Sequence, residues 1–148
     1  MPSIALTQDL RPGFRLEASL GYALRQAGQH HAQLVQSLLP PGLTAPQFTV
    51  LVKLYELGSC SQNQLGRHVL MDAATIKGVV DRLRRRDLIE AIADPLDRRR
   101  IMLSLSEEGF CLAGELAHAI ESAEDGMLGH LDAGEQAQLT ALLAKMCQ

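Results

Sequence analysis

The chain has 148 residues, enough for one compact domain with helical extensions, and its 47% hydrophobic content lets it bury a core and excludes a disordered chain. Its net charge of −3 conceals an asymmetry, since residues 61–105 carry nine Lys/Arg against six Asp/Glu and the remainder carries five against eleven. A basic middle in a mildly acidic chain is typical of a local polyanion-binding surface, with chance clustering of arginine as the alternative.

The N-terminal segment MPSIALTQDLRPG lacks the basic start and apolar run of a signal peptide. No apolar stretch approaches the roughly 20 residues that a membrane span needs. Cys60, Cys111 and Cys147 are far apart and form no CxxC motif, so neither a zinc site nor a disulfide framework is expected. We therefore expect a reduced, cytoplasmic protein with no membrane partner.

The first half of the chain predicts two helices. Apolar residues recur every three to four positions from Phe14 to Leu39, until Pro40, Pro41 and Gly42 end the pattern. Thr44 and Gln47 form a capping box that opens a second helix, which Gly58 ends. That helix is apolar over most of its circumference, so we expect it to lie centrally.

Two short capped helices follow. Ser61 and Gln64 form a second capping box that opens a helix over 62–68, and after a break at 69–71 Asp72 caps a helix from Ala73 to about Arg86. Two short helices joined by a turn of three or four residues are typical of a helix-turn-helix.

The spacing of the apolar residues then changes from the helical period to the alternation of β-strands. Residues 88–92 are apolar-rich, and 101–105 alternate, with Ile101, Leu103 and Leu105 on one face. Between them lie the turn-forming residues 94–97 and then three arginines, 98–100. The pattern predicts a hairpin with a charged tip.

Two further helices complete the chain. Ser106 caps one that extends to about His130, with two glutamates in its first turn, and Asp132 with Glu135 opens the last.

With these elements in place, the chain resembles the MarR family of winged helix-turn-helix transcriptional regulators. The resemblance is closest from Leu43 to Gly109 and rests on the segments LTAPQFTVLVKL, ATIKGVVDRLRRRDLI and DPLDRRRIMLSLSEEG. It implies a mainly α fold with a small β-hairpin wing, in which a winged helix-turn-helix head joins a helical dimerisation region. We expect a single domain over 1–148, a DNA-binding head over 44–105 with its wing over 88–105, and dimerisation helices over 5–39 and 107–147.

The major groove of B-DNA admits one helix, and the first turns of the helix after Asp72 are expected to enter it. Family members often carry a basic residue at the position of Gly78, whereas this chain has Lys77, which leaves base preferences open. The expected DNA-binding residues lie on the two short helices and at the wing tip. They are Ser61, Gln62, Asn63, Ala73, Ala74, Thr75, Lys77, Gly78, Arg82, Arg84, Asp97, Arg98 and Arg99.

Several of these residues have alternative roles. Ser61 and Thr75 can simply serve the helix starts, and the arginines over 82–86 cannot share one face, so some can bind phosphate while others pair with Asp81 or Asp87. At the wing, a guanidinium can enter a narrow minor groove. The resemblance implies Arg99 as that reader and Asp97 as its brace, through a bidentate pair with an arginine.

The resemblance also implies a homodimeric repressor on an inverted-repeat operator, which a small molecule, often an aromatic acid, releases; the residues themselves do not separate a repressor from an activator. Seven residues offer charges and rings for such an effector, although each can instead be an interface contact. They are Arg15, Tyr22, Arg25, His30, His31, Phe48 and His118. Adjacent His30 and His31 diverge on a helix, which makes a poor metal site, so no metal or cofactor is expected.

Other functions have weaker support. The sequence has no Gly-rich phosphate loop, no GxSxG and no HExxH, so we do not expect an enzyme. A winged-helix protein-interaction module without specific DNA readout is the alternative, and the basic wing tip argues against it. Cys60 precedes a helix start, which can lower the pKa of a thiol, so redox sensing by Cys60 is a further alternative.

Overall fold

The computed structural model describes residues 13–148. A 3₁₀ turn at Leu16–Ala18 precedes six α-helices and three strands. In chain order these are α1 (Leu20–Leu38), α2 (Ala45–Leu57), β1 (Ser59–Cys60), α3 (Gln62–His68), α4 (Ala73–Arg85), β2 (Ile89–Ala93), β3 (Ile101–Leu105), α5 (Glu107–Leu128) and α6 (Ala133–Met146). The expected fold class, mainly α with a small wing, is confirmed.

Within residues 13–148, the buried core lies in the middle of the chain. It runs from Val35 near the end of α1 to Ile120 in α5, and α2 lies within it, with Val50, Leu51 and Leu54 almost fully buried. Neither α6 nor the part of α1 before Val35 contributes a buried residue. Among the described residues no helix is long and apolar enough to span a bilayer. The expected dimerisation range starts at residue 5, so 5–12 lie outside the described residues.

Local capping sets most helix boundaries, as the sequence predicts. All three expected capping boxes form, with Thr44, Ser61 and Asp132 as their N-caps. The predicted start of the first helix at Phe14 was wrong. Ser19 is the N-cap of α1, and its extended backbone separates the helix from the 3₁₀ turn. The expected ends at Arg86 and His130 also shift, to Arg85 and Leu128.

Two left-handed residues end the helices of the helix-turn-helix. Leu70 after α3 and Asp87 after α4 both have φ of 57°. At the second site the Asp87 N–H donates to the carbonyl of Arg84 and the Leu88 N–H donates to that of Leu83, which is the Schellman pattern. Such caps turn the chain within two residues, so α4 can start at Ala73 and the wing at Ile89.

The wing is part of a three-stranded antiparallel sheet of order β1-β3-β2. β2 pairs with β3 from Ile89↔Leu105 to Ala93↔Ile101, one residue later than the expected strand over 88–92. Of the residues expected on one face of β3, Leu103 is buried, whereas Ile101 at the start of the strand is 62% exposed. The short strand β1, which pairs Cys60 with Leu103, was not expected.

One junction joins α4, the wing and α5. The Leu88 carbonyl accepts the N–H of Ser106 at 3.1 Å, and the Asp87 carbonyl accepts the Ser106 hydroxyl at 2.6 Å. Gly109, in the first turn of α5, faces the same Leu88 carbonyl, and a Cβ there would lie 2.1 Å from its oxygen. The close approach therefore requires glycine.

We expect Gly109→Ala to lower the free energy of unfolding by at least about 2 kcal/mol, because the added methyl group must displace main-chain atoms in a packed junction. Gly126→Ala is the matched control on the same helix, with open space around its Cβ position. Since alanine favours helix, the control should gain up to about 1 kcal/mol. Urea denaturation followed by circular dichroism measures both, and equal midpoints would contradict this packing.

Candidate nucleic-acid interface

Helix α4 divides into a buried side and an outward side. Ile76, Val79, Val80 and Leu83 are buried, at the spacing that places them on one face. The remaining candidate residues point away from the core. Ala73, Ala74, Thr75, Lys77, Arg82 and Arg84 are exposed, and Gly78 is half-buried.

Grooves lie on both sides of α4. One, of about 420 Å³, separates it from the start of α2 and is lined by residues that include Thr44, Pro46, Thr75 and Arg82. The other, of about 280 Å³, lies towards α3 and includes Asn63 and Arg67 in its walls. A projecting helix between two grooves, each with an arginine, is complementary to a DNA major groove between two phosphate ridges.

The N-terminus of α4 is fixed by Asp72. Its Oδ1 accepts the Thr75 N–H at 2.8 Å. Hydrogen bonds from Thr75 hold the pKa of Asp72 below its ordinary value, so this cap is ionised at neutral pH. The cap sets where the helix starts, and so positions Ala74 and Thr75 in its first turn.

Lys77 is engaged within its own helix. Its Nζ lies 2.8 Å from Asp81 Oδ2, one turn further along. The hydrogen bond from Lys77 is the main cause that holds the pKa of Asp81 below its ordinary value, and the charges of Lys77, Arg85 and Arg84 add to it. Asp81 therefore carries a full negative charge at neutral pH.

The arginines at the end of α4 have different partners. Arg85 donates from Nε to the main-chain carbonyl of Asp81 at 3.3 Å, and Arg86 donates to the carbonyl of Gly42 at 2.7 Å. Within residues 13–148, no arginine pairs with the carboxylate of Asp81 or Asp87, although such pairs were expected. Asp81 is paired with Lys77 instead, and Asp87 is the left-handed residue that follows α4. Arg82 and Arg84 form no ion pair with the described chain.

Helix α3 places Ser61, Gln62 and Asn63 at its start. The Ser61 hydroxyl accepts the Gln64 N–H at 3.3 Å, which is its capping role. Gln62 is half-buried, and Asn63 is exposed in the groove beside α4. Arg67 also lines that groove. It was not among the expected residues, because the helix dipole already explains a basic residue in the last turn of a helix.

At the wing tip, Arg98 and Arg99 are the two central residues of a tight turn. The Arg100 N–H donates to the Asp97 carbonyl at 2.9 Å and closes this turn, and the Asp94 N–H donates to the Arg100 carbonyl at 2.8 Å and closes the loop. Both arginines are exposed. The expected bidentate pair was wrong: Asp97 Oδ1 instead accepts the main-chain N–H of Arg99 at 3.0 Å, so it braces the backbone.

Two of the seven expected effector residues meet at one cavity. It has about 220 Å³, lies between α1 and α2, and is lined by His31, Ala32, Val35, Ala45, Phe48 and Thr49. His31 also bridges to α5, with its Nε2 2.5 Å from Glu124 Oε1. The other five do not line this cavity: Tyr22 is half-buried, and Arg15, Arg25, His30 and His118 are exposed.

Cys60 does not have the environment of a sensor thiol. It is buried in the core beside β3, and burial raises its pKa, so the expectation that the following helix lowers it was wrong. A raised pKa disfavours the reactive thiolate.

A capped helix-turn-helix followed by an arginine-tipped hairpin defines a winged-helix protein. The model of the MarR family matches residues 43–101. The transcriptional repressor NicR of Pseudomonas putida is 36% identical over 128 residues, which cover 86% of this chain and 81% of NicR. The chain belongs to the MarR family and is a helix-turn-helix transcriptional regulator.

Solved structures agree with this assignment. A probable transcriptional regulator from Pseudomonas aeruginosa superposes with a TM-score of 0.81 at 45% identity, covering 89% of this chain and 99% of its own. BpsR of Bordetella bronchiseptica, whose DNA binding is regulated by 6-hydroxynicotinic acid, superposes with a TM-score of 0.83 at 33% identity, covering 92% and 98%.

Proposed function

We propose that the protein is a homodimeric repressor that binds an inverted-repeat operator and leaves it when a small aromatic acid binds. The outward side of α4 carries this proposal, because small and polar residues project there between two grooves. Ala74 and Gly78 permit close approach to base edges, and Thr75 offers a hydroxyl. With DNA as its partner, the protein works in the cytoplasm.

Phosphate contacts come from the flanks of the helix. Arg82 lies in the groove towards α2, and Asn63 and Arg67 lie in the groove towards α3. These contacts position the protein without reading sequence. Arg84, which has no ion pair within the described chain, is a further phosphate ligand.

The wing supplies a separate contact. A tight turn presents Arg98 and Arg99 at its apex, and the Asp97 carboxylate holds the backbone of that turn. A rigid, thin hairpin with an arginine at its end fits a narrow minor groove, where negative potential is concentrated.

We expect Arg99→Ala to weaken binding to a duplex selected from random DNA by at least about 1 kcal/mol, because a minor-groove contact is lost. Lys53→Ala, which removes a cation of α2 that is paired with Glu56, is the control and should bind like the parent. Fluorescence anisotropy at constant salt measures both affinities. Equal affinity of the Arg99 variant and the parent would exclude the wing from the interface.

The dimer uses apolar surface that one chain leaves open. Phe14, Leu16, Leu20 and Leu24 at the start of the chain are exposed, and so is an apolar row on α6. That row consists of Leu139, Leu142, Leu143 and Met146. Surfaces of this kind are typical of protein interfaces, and two-fold symmetry matches two half-sites on DNA.

We expect Leu143→Glu to shift the protein from dimer to monomer, because it places a charge in the apolar row. Gln138→Glu adds the same charge at an exposed polar position of α6 and should leave the dimer intact. Light scattering at micromolar concentration gives the mass of each variant. A parent protein with the mass of one chain would refute the dimer, and an unchanged Leu143 variant would remove α6 from the interface.

The effector site is the cavity between α1 and α2. Its volume of about 220 Å³ suits a single substituted ring, Phe48 supplies an aromatic wall, and His31 supplies a hydrogen-bonding group that can take a positive charge. BpsR responds to a ring acid of this size. The cavity borders α2, and α2 packs against α4. A ligand in the cavity can therefore act on α4.

We expect 6-hydroxynicotinic acid to release the parent protein from a selected duplex. Ala32→Phe should keep DNA affinity but lose this release, because Ala32 lines the cavity and the added ring fills it. Gly28→Ala, one turn earlier on α1 with open space at its Cβ position, is the control and should respond normally. Normal release of the Ala32 variant would place the effector elsewhere.

A further inference from the structure

Asp81 lies in the part of α4 that faces away from the core. Ala74, Gly78, Asp81 and Arg85 follow one another at intervals of three or four residues, so they form one row opposite the buried side chains. The row therefore contains a carboxylate on the helix that we propose to enter the major groove. An unpaired anion there would repel DNA phosphates.

In the free protein, this carboxylate is paired with Lys77, a basic side chain of the same helix that we expect to contact DNA. Lys77 Nζ lies 2.8 Å from Asp81 Oδ2, with 66% of the Lys77 side chain and 39% of the Asp81 side chain exposed. Arg85 donates to the main-chain carbonyl of Asp81, which directs its side chain back along the helix. Lys77 is therefore the side chain of this row's neighbourhood that is paired with an anion.

We propose that the Lys77–Asp81 ion pair competes with DNA phosphates for Lys77, and so lowers the affinity of the protein for DNA of arbitrary sequence. Asp81 is then a residue that weakens the contact of α4 with the DNA backbone. The inference rests on the proposed DNA binding and adds a residue that acts against it.

The competition acts unequally on the two kinds of DNA. Binding to arbitrary sequence depends on phosphate contacts, so it loses most when Lys77 is held by Asp81 or when Asp81 faces a phosphate alone. On an operator, base contacts from the first turn of α4 add to the affinity, so the same loss is a smaller share of the total. Exposed ion pairs are weak, so the effect is several-fold and does not prevent binding.

Asp81 has one other role to exclude. A carboxylate in the major groove can accept a hydrogen bond from the N4 amino group of cytosine, which would make it a base reader. The structure favours competition, because the Asp81 carboxylate already accepts from Lys77 and lies more than one turn beyond Thr75, outside the first turn of α4.

The test measures binding of Asp81→Asn to a duplex of random sequence, which requires no knowledge of the operator. Freed from its partner, Lys77 neutralises one more phosphate, so the plot of log affinity against log salt should steepen by about 0.9. The advantage of the variant over the parent should accordingly shrink about 3.5-fold between about 50 and about 200 mM salt.

Two further variants control for trivial causes. Asp125→Asn makes the same chemical and charge change at an exposed position of α5, and should leave the slope unchanged. Adding Lys77→Gln to Asp81→Asn should return the slope to that of the parent, because the freed cation is then absent. Circular dichroism and light scattering confirm that each variant is folded and has the parent's mass.

A steeper slope for Asp81→Asn, cancelled by Lys77→Gln, supports the inference. Equal slopes for Asp81→Asn and Asp125→Asn overturn it while leaving DNA binding intact. Loss of affinity only for selected duplexes with cytosine at one position also overturns it and makes Asp81 a base reader. A parent protein that does not bind random duplex at low salt overturns the proposed function itself, and this inference with it.

Discussion

A single main-chain carbonyl, that of Leu88, holds the architecture together. It receives the N–H of Ser106 and lies against Gly109, at the point where α4 has ended, β2 begins and α5 starts. The end of α4, the base of the wing and the start of α5 are therefore joined directly at one residue. In the proposed dimer, a shift of α5 would reach the wing and α4 directly, without a flexible linker in between.

The charges of the head are less available than their number implies. Residues 61–105 carry an excess of basic side chains, but Lys77 is paired with Asp81 and Arg86 is bound to the carbonyl of Gly42. Arg86 in this way ties the end of α4 to the loop between α1 and α2. In the proposed complex, electrostatic attraction to DNA is left mainly to Arg67, Arg82, Arg84 and the arginines of the wing.

The sequence predicts those features that depend on neighbouring residues. Capping boxes act over three residues, so Thr44, Ser61 and Asp132 could be identified as helix starts from the sequence alone. β1 has only two residues and exists through its pairing with β3, and His31 meets Glu124 across 93 positions. Such contacts depend on the assembled fold, which no local pattern encodes. The Asp97 carboxylate was expected to pair with a guanidinium. It accepts the Arg99 main-chain N–H instead, which is only two residues away.

The three thiols divide the molecule into regions that a chemical probe can tell apart. Cys60 is enclosed in the core of the head, whereas Cys111 on α5 and Cys147 after α6 are exposed. A thiol-specific label added to the folded protein therefore attaches to the flanking helices and leaves the head unmodified. The rate at which Cys60 is labelled would then report local unfolding of the head. Dissociation of the two subunits would not by itself expose Cys60.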